Sequence, residues 1–314
     1  MTLITFAFLA GGLLLLVAGG EAVVRGAASL GMRMGLSALA TGLTIVAFGT
    51  SAPELVVNLG AAYRGVGDMA VGNVVGSNIA NIGLVLGVSA MVMPLTLQVR
   101  VIRNDIYFMV AVALLATLFL AANVMTRWEG LVLVTLLVAY IAWNLRAAGR
   151  ARETSRASFE AAMGSGRHGL LLDLVLVIGG LAALAGGGQL FVNGAVELAT
   201  ALGVSTAVIG LTVVAVGTSL PELATTAIAA YRGHGAMAIG NVVGSNIFNV
   251  LSVLGMTALI FPLERGDIGN WDVGMFLVSS LALLRFITTG SRMDRREGAV
   301  LFVGYLAYLW LRFL

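Results

Sequence analysis

The chain has 314 residues, of which 59% are hydrophobic and only 11% charged, with a mean hydropathy of +1.01. A soluble domain carries about 25% charged residues, so this composition excludes a soluble protein and describes an integral membrane one. The net charge of +3 comes from arginine with no lysine, and there is no cysteine, which excludes disulfides and thiolate metal sites and sets nucleic acid aside as a partner.

Apolar runs of about 20 residues, enough to cross about 30 Å of hydrocarbon, recur from end to end. They predict helices over 3–23, 36–62, 70–93, 105–124, 128–146, 169–193, 204–230, 238–262, 272–289 and 297–313. The expected fold is all-α, with ten transmembrane helices. The first run could be taken for a signal peptide, but it has no basic stretch ahead of it. A related segment recurs near Leu184–Gly194, so the first run is read as a span. Glu21 falls towards its end, with Gln189 as a mate, and is a candidate for lining an ion pathway. Asp105 and Asp272 open the fourth and ninth helices as expected N-caps. Arg64 and Arg232 close the second and seventh, near the negative end of the helix dipole. Trp128, Trp143, Trp271 and Trp310 fall near span ends, as an interfacial belt requires.

Sliding the chain along itself by about 168 residues superposes its halves. GTSAPEL (Gly49–Leu55) falls on GTSLPEL (Gly217–Leu223), and GNVVGSNIAN (Gly72–Asn81) on GNVVGSNIFN (Gly240–Asn249). Gly19-Gly20 falls on Gly187-Gly188, and Arg127-Trp128-Glu129-Gly130 on Arg295-Arg296-Glu297-Gly298. The chain therefore divides into a first five-helix repeat (1–146, motif region 42–86), a linker (147–168) and a second repeat (169–314, motif region 210–254). An odd number of spans per half inserts the second half upside down, giving inverted repeats. With the N-terminus outside, all 18 arginines except Arg64, Arg127, Arg265 and Arg312 lie on the cytoplasmic side, which satisfies the positive-inside rule. Both termini are then extracytoplasmic and the polar 147–168 linker is cytoplasmic.

The repeated motifs place charge inside the membrane. A carboxylate near mid-span costs about 2.5–3.5 kcal/mol on insertion scales, and the chain has two at matching positions, Glu54 and Glu222. Ser51 shares a helix face with Glu54 at a spacing of three, and Thr50 adds a second hydroxyl. Pro53 has no N–H, so the carbonyl of Gly49 loses its helical partner, and carbonyls around Ala47–Thr50 become available. In the second motif Ser77 shares a face with Asn81, as Ser245 does with Asn249, while the glycines let helices approach. Whether Asn73, Asn78, Asn241 and Asn246 are ligands or helix glue stays open. Carboxylate, hydroxyl, amide and carbonyl oxygens suit a hard cation. Ca2+ takes about 6–8 such oxygens, and the same set could be shared among several Na+ ions. His168 and His234 lie in loops, which argues against soft metals.

At GTSAPEL…GNVVGSNIAN and GTSLPEL…GNVVGSNIFN the sequence resembles the cation/calcium exchanger superfamily, in particular its prokaryotic sodium/calcium exchangers. The resemblance implies ten helices, with the second, third, seventh and eighth enclosing the ion sites while the first and sixth slide against them. It implies acidic ligands at Glu54 and Glu222, hydroxyl ligands at Thr50, Ser51, Thr218, Ser219, Ser77 and Ser245, carbonyl ligands at Ala47 and Ala215, and amide ligands at Asn81 and Asn249. Asn249 is a departure, because relatives often carry aspartate there. With asparagine in both halves the site holds two negative charges, which weakens a potassium-dependent reading. The implied activity is antiport of Na+ against Ca2+ by alternating access, with about three Na+ per Ca2+, and electrogenic. The chain would be a transporter rather than an enzyme, with no cofactor. Its partners would be its two substrate ions and the lipid bilayer of the cell membrane, and it would function as a monomer. A Ca2+/H+ exchanger is the nearest alternative, using the glutamates as proton carriers. A cation channel fits less well, since channels build pores from symmetric subunits or rings, whereas fused inverted repeats with broken helices belong to transporters. A hydrolase is disfavoured because no His or Asp lies near Ser51 or Ser219 in the motif.

Overall fold

The computed structural model describes residues 3–96, 99–150, 169–203, 215–289 and 292–313. Most of the expected linker (151–168) and the first part of the expected seventh span (204–214) lie outside the described residues. The described chain is almost wholly helical: α1 (Leu3–Met34), α2 (Ala38–Tyr63), α3 (Gly67–Val92), α4 (Val99–Ala121), α5 (Arg127–Arg150), α6 (Leu170–Ala201), α7 (215–231), α8 (Gly235–Ile260), α9 (Asn270–Thr289) and α10 (Arg295–Phe313). Four two-residue strands, β1 (Leu95–Thr96), β2 (Val124–Met125), β3 (Leu263–Glu264) and β4 (Arg292–Met293), sit in the connections. Among the described residues, α1, α2, α3, α6, α8 and residues Ile102–Ala121 of α4 are long and apolar enough to cross a membrane. The molecule is an all-helical, multi-pass membrane protein.

Helices α1 and α6 run to 32 residues each, well past the expected ends at 23 and 193. The charges that suggest a loop are paired instead. Glu21 meets Arg25 one turn on and Arg232 at the end of α7, and Arg33 Nε donates to buried Asp173 in the first turn of α6 at 2.7 Å. The ends come at glycines in the left-handed region, Gly35 (φ 74°) and Gly203 (φ 80°), which a side chain would strain. Helix α4 also starts earlier than expected, so Asp105 lies in its second turn and is not an N-cap; its carboxylate accepts the Tyr140 hydroxyl at 3.1 Å. Asp272 is likewise inside the first turn of α9. It reaches back to accept the N–H of Gly269 (3.0 Å) and also takes the Tyr308 hydroxyl (3.0 Å), the back-bonding half of a capping box.

Contacts between the halves exchange under the 168-residue shift. A Cβ on Gly12 would lie 2.8 Å from the Gly187 carbonyl oxygen, and one on Gly19 2.8 Å from that of Gly180. The shift sends Gly12 to Gly180 and Gly19 to Gly187, so α1 and α6 cross antiparallel, backbone to backbone, through a contact that maps onto itself. β1 pairs antiparallel with β4 through Leu95 and Met293, and β2 with β3 through Met125 and Leu263, and these pairs exchange in the same way. The two halves are thus related by an approximate two-fold. Near the axis α3 and α8 form the most buried part of the molecule, with α2 pressed against α8. Gly244 makes that approach possible, because a Cβ there would lie 2.7 Å from the Leu43 carbonyl oxygen and 2.7 Å from Ala47 Cβ.

Candidate cation site

Helix α2 is irregular where it carries the first motif. It opens with an α-turn (Ala38–Thr41), widens to a π-turn (Gly42–Val46), returns to α over Ala47–Thr50, and breaks at Ser51 before resuming over Ala52–Tyr63 with Pro53 in its first turn. Helix α7 repeats the break: Ala215–Thr218, then Ser219, then Leu220–Tyr231 with Pro221 in the first turn. Ser51 (φ −86°, ψ 0°) and Ser219 (φ −91°, ψ 5°) both sit in the bridge region, where functional residues of irregular helices concentrate. The glutamates follow three residues later, on the first turn of a fresh helical segment. One expectation is corrected here. The Ala47 carbonyl is not released, since it accepts the Ser51 N–H at 3.0 Å and has the Thr50 hydroxyl at 3.4 Å. Its helical partner is the Ser51 N–H, which Pro53 leaves in place; the proline deprives the Gly49 carbonyl instead. One turn earlier the π-turn hands the Ala47 N–H to the Gly42 and Thr44 carbonyls.

Helices α3 and α8 break regularity at the same register. Each ends its α stretch at the motif asparagine and continues as a six-residue π-turn, Asn81–Leu86 and Asn249–Leu254, and π-turns inside α-helices cluster at functional sites. A π-turn leaves carbonyls without their usual partners, which in a membrane is tolerated only under protein cover. Both turns are completely buried.

These four helices bury the motif side chains. Thr50, Ser51 and Glu54 of α2, Ser219 and Glu222 of α7, Ser77 and Asn81 of α3, and Ser245 and Asn249 of α8 are all at most 4% exposed. Thr50 and Ser51 lie beside the Glu222 carboxyl group of the opposite half, and the Glu54 carboxyl group lies near that of Glu222. Thr218, half-buried, ends the short helix before the α7 break. Ala215 opens that helix, and its side chain is not among those described.

Few of these groups are satisfied by protein. Among the described residues, Ser51 Oγ, Glu54 Oε2, both Glu222 oxygens, Ser219 Oγ, Ser245 Oγ, Asn81 Oδ1 and both polar atoms of Asn249 are buried without a hydrogen-bond partner. A single such group costs about 1–3 kcal/mol, so this many together can persist only around something that satisfies them. Nearly all are oxygens, which fits a cation. Among the described residues no three His, Cys, Asp or Glu side chains gather that could hold a metal; the buried unpartnered atoms besides those of the two glutamates belong to hydroxyls and amides.

Two of the open asparagines are helix glue. Asn73 Nδ2 donates to Asn58 Oδ1 at 2.7 Å, and Asn58 Nδ2 to the Ala70 carbonyl at 3.0 Å. In the other half Asn241 Nδ2 reaches Thr225 Oγ1 (3.0 Å) and Thr226 Oγ1 (2.9 Å). These clamps tie α2 to α3 and α7 to α8 one turn below the glutamates. Sequence reasoning passed over Asn58 and Thr226, although each sits four residues after its glutamate and so on the same face. The other open pair differs between halves. Asn246 Oδ1 accepts from Asn81 Nδ2 at 3.1 Å, whereas Asn78 Nδ2 turns back on the Val74 carbonyl at 2.8 Å.

Glu21 does not lie free along a pathway: its carboxylate is held by Arg25 and by Arg232, whose Nε donates at 3.1 Å. Burial and the Arg232 charge hold the adjacent His234 imidazole below its usual range, partly offset by Glu21. Both arginines of these ion pairs are exposed and Glu21 is half-buried, and pairs open to solvent contribute about 0–1 kcal/mol. Glu21→Gln is accordingly expected to leave the melting temperature in detergent within about 4 °C of wild type; a larger drop would mean that the pair fastens α1 to α7 more firmly than exposure allows.

Comparison with known proteins places this architecture. The sequence pattern of sodium/calcium exchanger proteins matches residues 4–146 and 172–314. The chain is 37% identical to CaxA of Alkalimonas amylolytica, a protein named as an antiporter, over 99% of both chains. It is 33% identical to the sodium/calcium exchanger MaX1 of Methanosarcina acetivorans, over 100% of this chain and 99% of that one. Among solved structures it resembles the sodium-calcium exchanger NCX_Mj soaked with Na+ and Ca2+, with a TM-score of 0.83, 30% identity and 99% of each chain covered.

Proposed function

Because the chain belongs to the sodium/calcium exchanger family, we propose that it is a secondary active antiporter that exchanges Na+ for Ca2+ by alternating access. The observation that carries this reading is the cluster of buried, unpartnered oxygens contributed by broken helices of both halves. Its two carboxylates neutralise one Ca2+ and leave one net positive charge when about three Na+ bind, so each cycle moves charge across the membrane. The ligands are Glu54, Glu222, Thr50, Ser51, Thr218, Ser219, Ser77, Ser245, Asn81 and Asn249, with carbonyls of Ala47 and Ala215. Ala47 joins them only through the second lone pair of its carbonyl, since Ser51 N–H occupies the first.

In the membrane the chain forms ten spans as two inverted repeats, 1–146 and 169–314, joined by a cytoplasmic linker at 147–168, with both termini extracytoplasmic. The arginine distribution and the two-fold exchange of contacts between halves support that arrangement. Helices α1 and α6 touch each other through glycine backbones and slide as a pair over the other helices. One chain holds both halves of the site and works as a monomer.

The test is Ca2+ uptake into reconstituted vesicles. Loaded with Na+ and diluted into Na+-free medium at fixed pH, vesicles should take up Ca2+, and an inside-positive potential set with K+ and valinomycin should accelerate it, because net positive charge leaves. Uptake that ignores the Na+ gradient and follows a pH gradient would replace this reading with Ca2+/H+ exchange; uptake indifferent to voltage would exclude the electrogenic stoichiometry.

A further inference from the structure

An asparagine differs from a carboxylate as a cation ligand in having a wrong way round. Only the Oδ1 face attracts a cation; the Nδ2 face repels it. A site that uses Asn81 and Asn249 where carboxylates could stand therefore needs something to fix which face it presents. The structure supplies this in one half only. Asn81 Nδ2 donates to Asn246 Oδ1 at 3.1 Å across the interface between halves, which leaves Asn81 Oδ1 buried and unpartnered. Asn246 is itself oriented: its Nδ2 points at the thioether of Met109 on α4, at 3.8 Å. Turning the Asn246 amide over would set its NH2 against the NH2 of Asn81 and its oxygen against sulfur, losing both contacts. Asn246 is 2% exposed and Asn81 1%, so water cannot substitute for either partner. The two-fold mate of Asn246 is Asn78, which spends its NH2 on the carbonyl of Val74, and neither polar atom of Asn249 has a partner.

We infer that Asn246 is a positioning residue which, held by Met109, locks the Asn81 amide with its oxygen towards the cation. It contacts no ion in this role. The lock acts as outer-shell partners do on metal ligands, where their loss costs about 10–100-fold in affinity. The site is then asymmetric: the Asn81 oxygen is set in advance, whereas that of Asn249 has to be turned towards the ion when the ion arrives.

This inference rests on the cation-exchange reading, and the experiment separates the two. Calorimetric titration of purified protein with CaCl2 in Na+-free buffer measures binding directly, and vesicle uptake measures exchange. Asn246→Leu, with Asn246→Ala beside it in case the larger side chain misfolds, should weaken Ca2+ binding about 10-fold and raise the Ca2+ concentration for half-maximal uptake in step, with the maximal rate little changed. Asn246→Asp, which keeps the accepting oxygen, should bind at least as well as wild type. In an Asn81→Ala background Asn246→Leu should add less than a two-fold loss, since nothing remains for it to orient; a purely structural role would subtract equally in both backgrounds. Unchanged affinity in Asn246→Leu and Asn246→Ala, or losses that add to that of Asn81→Ala, would overturn the lock. Wild-type protein that binds Ca2+ without Na+-driven uptake would overturn the exchange reading and leave the titrations to decide the lock.

Discussion

Glu222→Gln is expected to reduce Na+-driven Ca2+ uptake to the level of protein-free vesicles, a loss of at least about 100-fold. Both oxygens of Glu222 are buried and unpartnered, with Thr50 and Ser51 of the other half beside them. Removing one member of a buried charge pairing costs about 3–5 kcal/mol, and 100-fold corresponds to about 2.7 kcal/mol. Glutamine also turns an NH2 towards a place built for oxygen. Its effect on stability should run the other way. Without cations the wild type keeps two buried carboxyl groups close together among atoms that lack partners, and the variant replaces one of them with a neutral amide. Thermal melts in chelator should therefore give Glu222→Gln a higher midpoint than wild type. Added Ca2+ should raise the wild-type midpoint, since a ligand that binds only the folded state stabilises it, and leave the variant unmoved. A lower midpoint for the variant in chelator would mean that Glu222 holds the fold together and is not waiting for an ion. Glu54→Gln should behave in kind. Oε2 of Glu54 is likewise buried without a hydrogen-bond partner.

The parts of this arrangement legible in the sequence are those written in local chemistry. Composition identifies the membrane, the 168-residue shift pairs the motifs, and a proline one residue before each glutamate signals a broken helix; the breaks at Ser51 and Ser219 lie two residues before those prolines. What could not be read depends on distant partners. The charges of Arg25 and Arg33 look like loop residues until α1 and α6 lie side by side, where Arg33 and Asp173, 140 positions apart, form one ion pair. The π-turns at Asn81 and Asn249 carry no proline or glycine mark at their start; they follow from packing around the axis. The roles of the motif asparagines were undecidable for the same reason. Asn73 and Asn246 have identical chemistry, yet one binds a neighbour on its own hairpin and the other crosses between halves.

The glycines of α1 and α6 make the second large prediction, and the contrast is built into adjacent residues. A Cβ on Gly187 would lie 2.8 Å from Leu15 Cβ and 2.9 Å from both the Gly12 carbonyl oxygen and the Leu16 nitrogen. Two of those atoms are backbone and cannot swing aside, so valine at 187 must push α1 away from α6. Gly186, one position earlier, is exposed and meets nothing within 4 Å. Overpacking typically costs about 1–3 kcal/mol, and valine adds two methyls beyond the Cβ already in conflict, so Gly187→Val should lower the melting midpoint by more than about 5 °C and abolish uptake. Gly186→Val should melt within about 2 °C of wild type, on the high side if anything, because valine is a better helix former than glycine, and should transport normally. Gly19→Val tests the two-fold, since a Cβ there would lie 2.8 Å from the Gly180 carbonyl oxygen and 2.9 Å from the Leu184 nitrogen; it should fail as Gly187→Val does. If Gly186→Val were as damaging as Gly187→Val, helix flexibility rather than contact would be what the glycines supply. If only uptake fell while the midpoint held, α1 and α6 would tolerate separation in the resting protein and need their contact only when they move.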